Sequence, residues 1–229
     1  MKRWYAIATI VIVLGVFFAI IVPTIVSYSI EKTVIETIRR EYDLKDCAYI
    51  RVDHSYLQLF RGKIERVYIE CTKSEFNGVK AKSVVITVKD IEFDVAKTLQ
   101  TRDAVIRDVG AAKASIVVVE AEINKFIAAN YDDLKGWRLD LRPNEVVASA
   151  EIEMIGKLDV SFKPRLKGDR LVLEPTEADF AATEGLGLDE AKNWIGEIGL
   201  DLPVSDLPFD MKITKVLVQD NQMLVNAGN

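Results

Sequence analysis

The residues of this chain that could do chemistry are few and scattered. His54 is the single histidine among 229 residues. At a strand end it shares a face with Ala48, Ile50 and Val52, which suits a solvated or core-edge side chain better than a general base. No G-x-S-x-G elbow, phosphate-cradling glycine loop, H-E-x-x-H pair or acidic Ca²⁺ loop occurs. The Gly-x-Gly of EGLGLDE (184–190) follows no obvious strand and lacks a third glycine, so it reads as an approach to a helix. Asp132-Asp133, and Asp43 with Asp46, read as loop carboxylates. A hydrolase built on two acids that meet in the fold is the weakest reading, because no nucleophile, base or metal set is visible. The expectation is a protein that is not an enzyme and uses no cofactor.

The two cysteines offer redox rather than metal chemistry. Cys47 in CAYIRVDH and Cys71 in KIERVYIEC lie in runs that read as hairpin arms around YLQLFRG. A turn near Leu59 sets Cys47 opposite Cys71, Tyr49 opposite Ile69 and Arg51 opposite Val67. Directly opposed residues in a non-hydrogen-bonded antiparallel pair come close enough for a disulfide. Two small apolar side chains on a strand face are the other reading. One histidine and this spacing make no zinc site.

Composition narrows the classes further. With 49% hydrophobic and 28% charged residues, the chain is neither disordered nor a multi-span membrane protein. A net charge of -5 argues against a general nucleic-acid binder, which needs a basic surface. After Lys2 and Arg3 no charge occurs until Glu31, and Ala6 to Val22 is apolar apart from Thr9 and Gly15. As a helix, Ala6 to Ser27 rises about 33 Å, enough for a bilayer core. Trp4 and Tyr5 at one end and Tyr28 at the other stand where an aromatic belt would. A cleaved signal peptide is the competing reading; its apolar region would be shorter, and Ser27-Tyr28-Ser29 is a poor cleavage site. We therefore expect an uncleaved anchor over residues 1–29, with residues 30–229 forming one extracytoplasmic domain at the cell membrane.

The elements that follow are mostly strands. Ile30, Val34, Ile35, Ile38 and Tyr42 recur at helical spacing, so the first helix continues to about residue 42. Strands are expected near 46–56, 63–73, 79–95 and 102–120. The third changes apolar phase between Val88 and Ile91, as at a β-bulge. Ala121–Asn130 reads as a short helix with Ile123, Phe126 and Ile127 on one face. Trp137, Leu139 and Leu141 alternate with charges, then turn through Pro143-Asn144-Glu145 into Ala148, Ala150, Ile152 and Met154. A tight turn at 155–157 would pair Ile152 with Val160 and Ala150 with Phe162. KLDVSFKPRLKGDRLVLEP (157–175) alternates cleanly, with Leu158, Val160, Phe162, Pro164 and Leu166 on one face and a turn at Gly168-Asp169. Its other face carries Lys163, Arg165, Lys167 and Arg170, a lipid-headgroup patch or, preferably, a solvated face interrupted by Asp159, Asp169 and Glu174. Asp189–Ile198 is expected as a helix, and two strands around Asp220-Asn221 close the chain, with a second phase slip after Ile213.

The stretches VSFKPRLKGDRLVLEP and SDLPFDMKITKVLVQDNQMLVNAGN resemble the LmeA-like family of exported phospholipid-binding proteins. The matching elements run from Phe162 to Pro175 and from Leu207 to Val218, and VVVEAEINKFI resembles the family's central strand-to-helix passage. The resemblance implies an α+β fold of the tubular lipid-binding (TULIP-like) kind, a long twisted antiparallel sheet curled around a helix with an apolar groove. It implies a phospholipid partner, with no catalysis; two cysteines and an uncleaved anchor are departures from the family. No binding residue has a motif of its own, so lining positions come from strand parity: Ala148, Ala150, Ile152, Met154, Val160, Phe162, Leu171, Met211 and Ile213. Small inward side chains such as Ala148 and Ala150 leave room that a packed core would fill. A non-catalytic envelope module with a self-packed core is the alternative.

Overall fold

A computed structural model describes residues 15–16, 22–41, 47–72, 74–76, 78–152, 156–167, 170–180, 198–200 and 208–229. The fold is α+β, with antiparallel strand pairing and few helices. The elements are α1 (Val22–Glu41), β1 (Cys47–Asp53), α2 (Tyr56–Phe60), β2 (Lys63–Thr72), β3 (Glu75–Phe76), β4 (Val79–Lys80), β5 (Ser83–Phe93) and α3 (Val95–Thr101). There follow β6 (Ile106–Val119), α4 (Glu120–Asn130), β7 (Arg138–Arg142), β8 (Glu145–Ile152), β9 (Gly156–Lys167), β10 (Arg170–Phe180), β11 (Ile198–Leu200), β12 (Lys212–Gln219) and β13 (Gln222–Gly228). Six strands form one sheet in the order β1-β2-β5-β6-β13-β12, and five form another in the order β11-β10-β9-β8-β7. The residues group into two compact units, one drawn from the chain up to Lys45, Ile50–Tyr68 and Thr87–Ala111, the other from Asp46–Tyr49, Ile69–Ile86 and Ala112–Asn229.

In the first unit, α1 buries Ile30, Val34 and Ile38, one stripe at four-residue spacing, as the periodicity predicts. No helix among the described residues is long and apolar enough to cross a membrane. The expected span from Ala6 to Val22 lies almost wholly outside them, as does Tyr42.

Two short helices replace expected loop and strand. YLQLFRG is not a bare turn: Ser55 accepts the Gln58 N–H at 3.3 Å as an N-cap, Leu59 is buried, and α2 forms. Val95–Thr101 likewise form α3, capped by Asp94, which accepts the Lys97 N–H at 3.0 Å, and ended by Arg102 in the left-handed region. Both helices are too short to show periodicity.

The expected strand 79–95 divides. Val79 and Lys80 pair with Phe76 and Glu75, and β5 begins only at Ser83. The separation is fixed at Ala81 and Lys82, whose N–H groups donate to the carbonyls of Ser74 and Val117. Within β5 the phase slip is real. Val84, Ile86 and Val88 are buried, Asp90 adopts φ 53°, and burial resumes at Ile91 and Phe93.

In the second unit, β6 and β13 pair in register, Ala114 with Ala227, Ile116 with Val225 and Val118 with Met223, all buried. The register of β12 on β13 shifts between Ile213 and Lys215, where the second phase slip is expected. Helix α4 buries Ile123 and Ile127, while Phe126 is half-buried with its ring edge-on to Tyr131. Of the helix expected at 189–198, residues 189–197 lie outside the described residues, and Ile198 begins β11.

Candidate functional site

The register of the five-stranded sheet decides which side chains share a face. Opposed residues across an antiparallel ladder point the same way. Leu139 pairs with Ala148, and Ala148 with Val160; Leu141 pairs with Val146, and Val146 with Phe162. Ala150 pairs with Leu158, Phe162 with Pro175, and Pro164 with Leu173. One apolar face therefore runs across four strands, and β11 pairs with β10 beyond it, Leu173 in register with Ile198.

This register corrects the expected one. Ile152 faces Gly156 rather than Val160, and Ala150 faces Leu158 rather than Phe162. Gly156, at φ 83°, is a paired strand end, so the turn is centred nearer residue 154 than 156. The displacement is even, so every side chain keeps its expected face. The β9–β10 register, Lys167 with Arg170, leaves Gly168-Asp169 as the connection, as expected.

Of the predicted lining residues, Ala148, Val160 and Phe162 are 1% exposed or less, and Ala150 and Ile213 are each 8% exposed. Met211 is also buried. Ile152 and Leu171 lie in β8 and β10, and Met154 lies outside the described residues. Val146 and Leu158, left out of the predicted set, are as central as any member and were recoverable from the same parity.

The strand that carries Ile213, β12, packs against β7, β8 and β9, and Met211 directly precedes it. The Asn144 N–H donates to the Val218 carbonyl at 2.9 Å, and the Asn221 N–H to the Leu141 carbonyl at 3.0 Å. Both asparagines adopt positive φ, which their short polar side chains tolerate. Helix α4 closes the remaining edge of β7. Asn124 donates through Nδ2 to the Leu139 carbonyl and accepts its N–H through Oδ1. Glu120 Oε2 accepts the Leu141 N–H. The apolar face is thus bounded at β7 by hydrogen bonds rather than by an open strand edge.

The opposite face of β7–β10 is mostly polar, with Val147 and Val172 the buried apolar side chains on it. Ser149 and Asp159, direct cross-strand partners, are hydrogen-bonded, and Lys157 Nζ lies 2.7 Å from Asp159 Oδ2. The lysine contact, then the serine, holds the Asp159 carboxyl below the usual range. The basic cluster is partly neutralised, since Glu174 lies 2.9 Å from Arg165 and 3.7 Å from Lys167. Among the described residues no group of His, Cys, Asp and Glu could hold a metal ion. Cys47 and Cys71 are joined as a disulfide within the second unit.

Compared with protein families, residues 25–228 match one described as LmeA-like phospholipid-binding. The chain belongs to this family. The match spans the β9–β10 hairpin, α4 and the β12–β13 hairpin, the elements on which the sequence resemblance rests. Compared with curated proteins and with solved structures, the chain has no significant match.

Proposed function

We propose that this LmeA-like protein holds the acyl chains of a phospholipid against the apolar face of β7–β10 and β12, while an N-terminal helix keeps it at a membrane. The observation that carries the reading is the face itself. It is apolar across hydrogen-bonded strands and has two alanines, Ala148 and Ala150, alternating along its centre in β8. Acyl chains need a continuous apolar surface and room beside it, and small side chains provide the room. Family membership points to phospholipid as the ligand class. The disulfide suits an oxidising, extracytoplasmic compartment. An anchor would raise the effective concentration of bilayer lipid at the face, favouring uptake, transfer or envelope assembly.

The test uses the full-length protein in vesicles containing a phospholipid with a photoactivatable acyl chain. Crosslinks mapping to residues 146–162 and 211–213 are expected. Crosslinks confined to residues 6–27 would refute binding at the sheet.

One observation favours a second reading. Ala148, Val160 and Phe162 are shut away from solvent, as in a self-packed core. On that reading the domain is a structural module of the envelope, and Ala150→Trp would unfold it by overpacking. The lipid-binding reading expects a folded variant with reduced crosslinking.

A further inference from the structure

The first unit exposes large apolar side chains in a place the acyl-chain face does not explain. On α2, Leu57 is 74% exposed, and Tyr56 and Phe60 are exposed beside it. Three such residues on a five-residue helix leave only Leu59 to bury and Gln58 half-buried. Isolated exposed apolar residues are ordinary, but a cluster of this kind marks an interaction surface.

The position of α2 indicates what covers it. It packs against α1, and the His54 imidazole just before it lies 3.6 Å from Glu31 of α1. The apolar run Ala6–Val22 leads into α1 in the sequence. Along α1, Ile25 and Tyr28 are also exposed, Tyr28 at 68%. If that run spans a bilayer, Tyr28 stands at the interface, and Glu31 lies three residues, about 5 Å, further along the axis. That height falls inside the headgroup layer, which adds about 5–8 Å on each side of the hydrocarbon.

We propose that α2 is a membrane-docking element. Leu57, Tyr56 and Phe60 insert at the boundary of headgroups and acyl chains, next to the point where α1 leaves the bilayer. The occupant of this surface is bilayer lipid, not a protein partner. This inference shares the N-terminal anchor with the function proposed above but does not depend on the sheet holding a lipid. Docking at α2 would give the protein two attachments and so restrict its tilt on the membrane.

The experiment places a nitroxide label on the full-length, oxidised protein at Leu57→Cys, Tyr28→Cys or Glu151→Cys. Each labelled protein is reconstituted in vesicles of phosphatidylcholine and phosphatidylglycerol. All three positions are exposed, so the labels leave the packing alone. Collision with oxygen relative to a water-soluble nickel chelate reports immersion. The ratio at 57 should match that at 28 and exceed that at 151 several-fold. Adding Phe60→Asp to the Leu57→Cys protein should bring its ratio down toward the value at 151. A ratio at 57 equal to that at 151 overturns the docking, with position 28 telling whether the anchor itself holds. Protection of position 57 in native membranes but not in pure lipid would mean a protein partner and would also overturn it.

Discussion

Asn124 of α4 meets the backbone of Leu139 with both ends of its amide, Oδ1 to the N–H at 2.7 Å and Nδ2 to the carbonyl at 2.8 Å. A strand would make the same two bonds. The next outward-facing pair is completed by Glu120 on the Leu141 N–H and by Asn221 on its carbonyl. The Glu120 N–H in turn donates to the Asn221 carbonyl, satisfying a helix-terminal donor that has no side-chain cap. The edge of β7 is thereby closed by one helix and one hairpin turn.

Removing the amide should expose that edge. Asn124→Ala is expected to lower stability by about 1–3 kcal/mol, because half-buried backbone groups lose partners that water replaces only in part. Chemical denaturation measures the loss. Amide hydrogen exchange at Leu139 should accelerate more than at Val147, which lies one strand further in.

The two alanines of β8 separate packing from binding. Ala148 is 1% exposed and opposed to the fully buried Val160, so Ala148→Trp should destabilise by about 1–3 kcal/mol or more through overpacking. Ala150 retains 8% exposure near the end of the ladder. Ala150→Trp should stay folded by circular dichroism and lose acyl-chain crosslinking. If both variants unfold alike, the face is a self-packed core.

Reduction of the disulfide should act through the unfolded chain. Cys47 and Cys71 are 24 residues apart, and opening a loop of that size costs about 3 kcal/mol. Replacing both cysteines by serine should lower the unfolding free energy, measured by denaturant titration, by that amount. Reductant should shift the native protein equally and leave the double variant unchanged.

Much of this fold was legible because period-two alternation is unambiguous where one face is dry. Phe162, Val160 and Leu158 declared a strand, and both phase slips, at Asp90 and after Ile213, showed as breaks in parity. Parity is blind to even register shifts. Ala150 therefore takes Leu158 rather than Phe162 as its partner yet keeps its expected face, because nothing local distinguishes a turn centred at 154 from one at 156. Helices α2 and α3 escaped because five and seven residues complete no apolar stripe, and their only signals are the caps Ser55 and Asp94. The Asn124 clamp was invisible for another reason: it is a long-range use of a residue that reads locally as a polar helix position. At the site, the apolar face was legible, whereas its bounding hydrogen bonds at β7 required the tertiary structure.

Gly62 is a tight backbone approach in the unit that carries α2. At φ 74°, a Cβ there would sit 2.2 Å from the Phe93 carbonyl oxygen, and the Phe93 N–H donates to the Gly62 carbonyl. Backbone cannot step aside as a flexible side chain can. Gly62→Ala should cost at least about 2 kcal/mol, combining the left-handed φ with the overlap. Its effect should be local first, with faster exchange of the Arg61 and Phe93 amides. Even exchange increases across β8–β10 would contradict this.

Acid should loosen both units at defined carboxylates. Asp94 is held below its ordinary range by the Lys97 backbone N–H, then by Arg107, and Asp159 by Lys157, then Ser149. A carboxyl whose folded pKa is depressed stabilises the fold above its unfolded value, about 3.9. That stabilisation falls away as the pH drops from there through the lower folded value. Stability should therefore be flat in these two groups near neutrality and decline below about pH 4. Asp94→Asn keeps an acceptor for the helix cap but removes the charge facing Arg107, so it should flatten part of the acid limb while α3 persists. Asp159→Asn should flatten another part, read as a reduced slope of unfolding free energy against pH. If neither variant changes that slope, these carboxylates do not couple protonation to folding.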